Sequence, residues 1–153
     1  MQILRKTVLA AAAVTLTWMP SFTVAADGDP GLQFAIQPGT GDFVQFQSGP
    51  IKEGHKTYVY YDSLRVSSPA NPRCSDFGDL TAVKGHVMSD NSGAITDFSL
   101  NPAVSYVKLG SFVTPKCHNR STELQIWFTG TDGKETCYDS NYGKNYSFPV
   151  ICK

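Results

Sequence analysis

The chain has 153 residues, 13 basic and 13 acidic, with 41% hydrophobic and 12% aromatic side chains. A balanced charge with no basic run offers no footprint for nucleic acid, and the apolar content suffices for a packed core. The length fits one globular domain.

Residues 1–26 carry Arg5 and Lys6, then the apolar run Val8 to Val14, and close on Val24-Ala25-Ala26. A charged start, a short apolar stretch and small residues at the end form the pattern of an export signal. Thr15, Thr17 and Pro20 interrupt the run, which falls short of the roughly 20 apolar residues that span a bilayer. The expected mature protein is therefore a single domain over residues 27–153, secreted or periplasmic, with no membrane insertion and a slight acidic excess. Asp27 to Gly31 reads as a frayed start.

Beyond the signal, short alternating or β-branched and aromatic runs recur, and none keeps apolar residues at helical spacing for a dozen positions. In chain order the predicted strands are Leu32 to Ile36, Phe43 to Phe46, Thr57 to Tyr61, Leu80 to Met88 and Ile95 to Leu100, followed by Tyr106 to Phe112, Leu124 to Phe128, Lys134 to Tyr138 and Tyr146 to Ile151. Pro38-Gly39-Thr40-Gly41, Ser48-Gly49-Pro50, Asp90-Asn91-Ser92-Gly93 and Thr131-Asp132-Gly133 separate them with residues that turn cheaply. The proline-rich stretch from Ser67 to Pro72 is too long for a hairpin and reads as a crossing between sheets. Many short strands at such spacing predict an all-β fold, an antiparallel β-sandwich with one face of each sheet buried. In Leu124-Gln125-Ile126-Trp127-Phe128 the alternation points Leu124, Ile126 and Phe128 inward and Trp127 outward.

The four cysteines, Cys74, Cys117, Cys137 and Cys152, all follow the signal. In an oxidising compartment an even count predicts two disulfides. Three connectivities are open, with a mild preference for local closure, Cys74 with Cys117 and Cys137 with Cys152. No Cys-x-x-Cys occurs and only His118 adjoins a cysteine, so no metal is expected.

Catalytic signatures are missing: the chain has no Gly-x-Ser-x-Gly, no His-Glu-x-x-His and no phosphate-cradling glycine loop. Asp62, Asp76, Asp79, Asp97, Glu123 and Asp139 are candidates for a glycosidase pair only as any carboxylate is. No enzyme and no cofactor is expected. His55, His86 and His118 are scattered and receive no role. Asp139-x-Asn141 resembles alternate calcium ligands, but Gly143 stands one place early and no glutamate follows, which favours ordinary turn bonding. Asn119-Arg120-Ser121 and Asn145-Tyr146-Ser147 have the form of glycosylation sequons.

The densest local chemistry is Cys137-Tyr138-Asp139-Ser140-Asn141-Tyr142-Gly143-Lys144-Asn145-Tyr146. Asn, Asp and Gly adopt left-handed backbone and bond their own main chain, so this is an ordered loop between strands. Phenol faces beside fixed amides suit a neutral, hydroxyl-rich ligand; a loop bonded only to itself over packed tyrosines is the structural alternative.

Together, Glu123 to Phe128 and Tyr138-Asp139-Ser140-Asn141-Tyr142-Gly143-Lys144-Asn145-Tyr146 resemble the last strands of the family 21 carbohydrate-binding modules, which bind starch and glycogen. They are also similar to a group of small, mostly uncharacterised secreted bacterial proteins sharing the motif. The resemblance covers about the last 30 residues. It implies an immunoglobulin-like β-sandwich in which Tyr138 stacks on a glucose ring, Asn141 and Asn145 bond its hydroxyls, Gly143 makes the turn and Tyr146 begins the last strand. Ser140 stands where those modules often have asparagine, and the region of Tyr58, Tyr60 and Tyr61 lacks their central tryptophan. Tyr142 and Trp127 are the expected helpers, and Asp139 holds the loop. The leading expectation is polysaccharide binding, an α-glucan in particular. The alternative is a secreted protein-binding factor, an inhibitor, effector or adhesion module, with the loop purely structural.

Overall fold

A computed structural model describes residues 28–67, 82–90, 92–117, 123–131, 133–134 and 136–153. The expected export signal, Cys74, most of the proline-rich crossing, His118 and the sequon at Asn119 lie outside the described residues. The strands are β1 (Gly31–Ile36), β2 (Phe43–Gln47), β3 (Ile51–Lys52), β4 (Lys56–Asp62), β5 (Ala82–Ser89), β6 (Thr96–Val104), β7 (Val107–Val113), β8 (Glu123–Thr131), β9 (Thr136–Asp139) and β10 (Tyr146–Ile151). Each strand expected from the sequence has its counterpart. One helical turn, α1 (Leu64–Ser67), follows β4, and no helix among the described residues is long and apolar enough to cross a membrane.

The period of two in the sequence becomes two faces. Along β4, Thr57, Val59 and Tyr61 are buried while Tyr58 and Tyr60 are less so. Along β8, Leu124, Ile126 and Phe128 are buried and Trp127 lies on the opposite face, as the alternation requires.

The strands form one sheet in the order β2-β1-β4-β7-β6-β5-β8-β10-β3, with β9 paired to the second half of β8. It is all-β but not wholly antiparallel as expected: β1 pairs β4 in parallel and β10 pairs β3 in parallel. The cause is the two-residue strand β3, which the sequence reading does not contain. Ile51 is fully buried at the end of β10, so the chain leaves β2 for the far edge of the sheet and returns to lay β4 beside β1 in the same direction. The two ends of the strand order, β2 and β3, are joined by residues 48–50, which requires the sheet to curl back on itself.

β6 makes the bend. Its first part, Thr96–Leu100, pairs β5, whereas Asn101 to Val104 pair β7 across a register shift between Pro102 and Val104. Pro102 has no N–H to give a ladder, which suits it to a bulge where a strand changes partners. The two halves close over one aromatic core. Phe34 packs edge-on against Phe128 and Tyr146 at centroid distances of 4.6 and 5.2 Å, and Tyr61 lies 4.1 Å from Phe128. Burying each such ring stabilises the fold by roughly 1.5–3 kcal/mol. Gly85 faces Phe98 across the β5–β6 pair, and a Cβ there would fall 2.0 Å from the ring; only glycine lets Phe98 lie flat on β5.

The described disulfide joins Cys117 to Cys152. This overturns the expected local closure, since Cys117 precedes β8 and Cys152 follows β10, and antiparallel pairing of those strands brings the two ends together. Cys137 is also disulfide-bonded.

Candidate functional site

The motif of β9 and the following loop is divided by burial. Tyr138 is 58% exposed, Asp139 is 3% exposed and Tyr146 is buried, because successive strand residues take opposite faces. Asp139 turns into the core and meets Arg65 of α1, whose side chain is 0% exposed. Arg65 Nε donates to Asp139 Oδ2 at 2.8 Å, and Tyr61 donates to the same oxygen at 3.0 Å. The Tyr146 hydroxyl donates to Asp139 Oδ1 and accepts from Arg65 Nη2 at 2.7 Å. Arg65 Nη1 donates to the carbonyls of Ala35 and Val44 at 2.6 and 3.2 Å. The guanidinium also lies 4.3 Å from the Phe43 ring centroid.

One buried cation thus ties α1, β1, β2, β9 and β10 together. A buried charge is tolerated only when paired and fully hydrogen-bonded, and no described buried side-chain polar atom lacks a partner. Burial pushes the Tyr61 phenol well above its ordinary value, and the Asp139 carboxylate adds to that. Tyr146 is raised by the same causes. Burial alone would lower Arg65, but Asp139 and the two phenols hold it above its usual value. Both oxygens of Asp139 are occupied by protein donors, which accounts for the carboxylate without calcium.

The loop repeats left-handed backbone: φ is 48° at Asn141, 57° at Tyr142, 84° at Gly143 and 58° at Asn145. Gly143 N donates to Ser140 O at 2.9 Å around Asn141 and Tyr142, a turn with positive φ at both central positions. Asn145 N returns to the same carbonyl at 2.8 Å. Asn accepts this conformation readily; a bulky Tyr does so only under the constraint of its surroundings. The result is a Tyr142 side chain that is 96% exposed.

The expected binding residues do not form one cluster. Tyr138 pairs with Thr129 on the outer face of β8, and Trp127 lies two positions along the same face, diagonal neighbours at roughly 7–8 Å. Asn145 joins this face by donating to Gln125 Oε1 at 3.0 Å, so the second sequon has an engaged amide. Trp127 is not an open platform on both sides, since the His86 ring stacks on it at 5.3 Å and 17°. Asn141 faces elsewhere: it donates to Asn145 O at 3.2 Å and, with Gln45, Tyr146, Ser147 and Phe148, lines a polar cavity of about 320 Å³.

Sequence reasoning missed Arg65, Tyr61, Gln125 and His86. Arg65 sits alone between strands with no motif around it, so nothing local marks it; His86 pairs with Trp127 and Asp97 only through strand register. Glu53 lies beside Cys117 and Cys152 in a metal-like grouping, but the two sulfurs are bonded to each other, and Glu53 accepts from Cys117 N at 3.0 Å.

The fold and site define an all-β domain with a charge-anchored, outward-facing aromatic loop. The chain belongs to a family of unknown function, DUF6209, whose sequence profile matches residues 21–151. Neither the curated proteins nor the solved structures contain a match to it.

Proposed function

We propose that this protein is an exported, immunoglobulin-like β-sandwich that binds a polysaccharide, an α-glucan first among them, on the outer face of β8 and β9. Retention itself involves no bond-making. The observation that carries this reading is the division of the motif: Asp139 and Tyr146 fix the loop from within, while Tyr138 and Tyr142 are held outward in its exposed part. A loop backbone held from within has little entropy left to lose on binding, which favours stacking of its outward rings on a sugar. Further along the same face the Gln125 and Asn145 amides, bonded to each other at 3.0 Å, give it a fixed polar margin. A shallow site of this kind gives about 4–6 kcal/mol, a Kd from millimolar to tens of micromolar, and so suits a repeating target. The export signal would end at Ala26, and Cys74, the one cysteine outside the described residues, would be the partner of Cys137.

The test is co-sedimentation of the purified protein with insoluble starch, cellulose, chitin and peptidoglycan, with Tyr138→Ala in parallel. The reading expects retention on starch that Tyr138→Ala loses while its unfolding transition stays in place. Equal retention of the variant, or no retention on any polymer, refutes it.

A second reading, a protein partner, is supported by the opposite outer face, where Phe46 is 58% and Val113 64% exposed on the side that carries Tyr58 and Tyr60. Capture by a protein ligand that Phe46→Ser abolishes, with Tyr138→Ala neutral, is the outcome favouring it.

A further inference from the structure

His86 does more than flank Trp127. Its Nδ1 lies 2.8 Å from Asp97 Oδ1 and its Nε2 lies 2.8 Å from Thr129 Oγ1, so three side chains from β6, β5 and β8 form one hydrogen-bonded line. A carboxylate only accepts, so Nδ1 carries a proton toward Asp97; in the singly protonated tautomer that this selects, Nε2 accepts from the Thr129 hydroxyl. A hydroxyl bonded to a base that is itself oriented by a third group is the arrangement that activates an oxygen nucleophile.

The surroundings fit that use. The His86 side chain is 14% exposed and Asp97 58%, so the imidazole is shielded while the line stays open to solvent at one end. Stacking on Trp127 at 17° fixes the ring plane. Thr129 is flanked in register by Lys84 on β5 and by Tyr138 on β9, which places an ammonium and a phenol on either side of the hydroxyl. Backbone amides of a strand are engaged in its ladder, so the counter-charge for a developing oxyanion is assigned to Lys84, the cross-strand partner of Thr129.

We propose that Thr129, His86 and Asp97 form an acyl-transfer site that hydrolyses carboxylic esters. Thr129 Oγ bonds to the ester carbonyl carbon as its proton passes to His86 Nε2, and the carbonyl electron pair moves to oxygen. Collapse breaks the bond to the alkoxy oxygen, which takes the proton from His86 and leaves as the alcohol. Water then gives a proton to His86 and its oxygen to the acyl carbon; Thr129 leaves, recovers the proton, and the carboxylic acid departs. Thr129 and His86 are the catalytic residues and Asp97 is a positioning residue. The site does not depend on glycan retention.

The experiment is hydrolysis of p-nitrophenyl acetate by the purified full chain, with circular dichroism establishing that each variant is folded. Thr129→Val and His86→Gln are expected to lose at least 100-fold, and Thr129→Ser to stay within about tenfold. Asp97→Asn lowers kcat with KM unchanged. Acid quenching during turnover traps an acetyl group on the peptide carrying Thr129. A wild type no faster than buffer, or a folded Thr129→Val as fast as wild type, overturns the proposal. Starch retention by Asp97→Asn, a change on β6 outside the β8–β9 face, reads the glycan site separately, so failure of one reading leaves the other standing.

Discussion

Removing the carboxylate of Asp139 tests the structural half of the motif most directly. In Asp139→Ala the Arg65 guanidinium, fully buried, loses its counter-charge, and the Tyr61 and Tyr146 hydroxyls lose their acceptor. Breaking a buried ion pair from one side costs about 3–5 kcal/mol, mostly because the surviving charge cannot return to water. A domain of this size has about 5–15 kcal/mol in total, so Asp139→Ala is expected to lose about a fifth or more of its stability and roughly 10–20 °C in Tm. Equilibrium urea unfolding followed by circular dichroism measures this. The double change Arg65→Met with Asp139→Leu removes both charges and should be at least about 1 kcal/mol more stable than the sum of the single effects. A loss below about 1 kcal/mol in Asp139→Ala, or strict additivity in the double variant, would refute the account of this network as the anchor of the loop.

The same network sets an alkaline limit. Tyr61 and Tyr146 have folded-state values raised above the unfolded phenol, so their contribution is complete below about pH 10 and falls as pH rises past it, by roughly 3 kcal/mol per pH unit for the pair; urea midpoints that stay level from pH 9 to 11 would contradict this. Tyr142→Gly should leave stability unchanged or raise it by up to about 1 kcal/mol, since left-handed backbone costs a bulky residue about 1–2 kcal/mol and glycine returns part of that as entropy, while starch retention weakens; a marked loss of stability would show that the exposed ring packs in solution. The Cys117–Cys152 disulfide closes a sequence separation of 35 residues, and replacing both cysteines with alanine should cost about 3–4 kcal/mol by denaturant unfolding, with no measurable loss counting against a role in holding β10.

The strands were legible because each buries one face, and a period of two survives in any single sequence: Leu124, Ile126 and Phe128 declare the core side of β8 without reference to a partner. Left-handed positions were legible for a similar reason, since Asn141, Gly143 and Asn145 are residues for which that backbone costs little. Partnership was not. β3 is too short to show a period, and burial of Ile51 beside Val150 depends on a strand in the chain's later half, far away in sequence. That single docking makes two pairings parallel and sends the sheet's ends together. Arg65 looks like any surface basic residue until α1 places it over Asp139, and Asp97, His86 and Thr129 meet only when β6, β5 and β8 come into register. Local conformation follows from side-chain sterics and hydrophobic period, which each residue carries with it. Cross-strand contacts arise from register, a property of the assembled sheet, and so the disulfide pairing, the buried ion pair and the hydrogen-bonded line on the outer face were decided by tertiary structure alone.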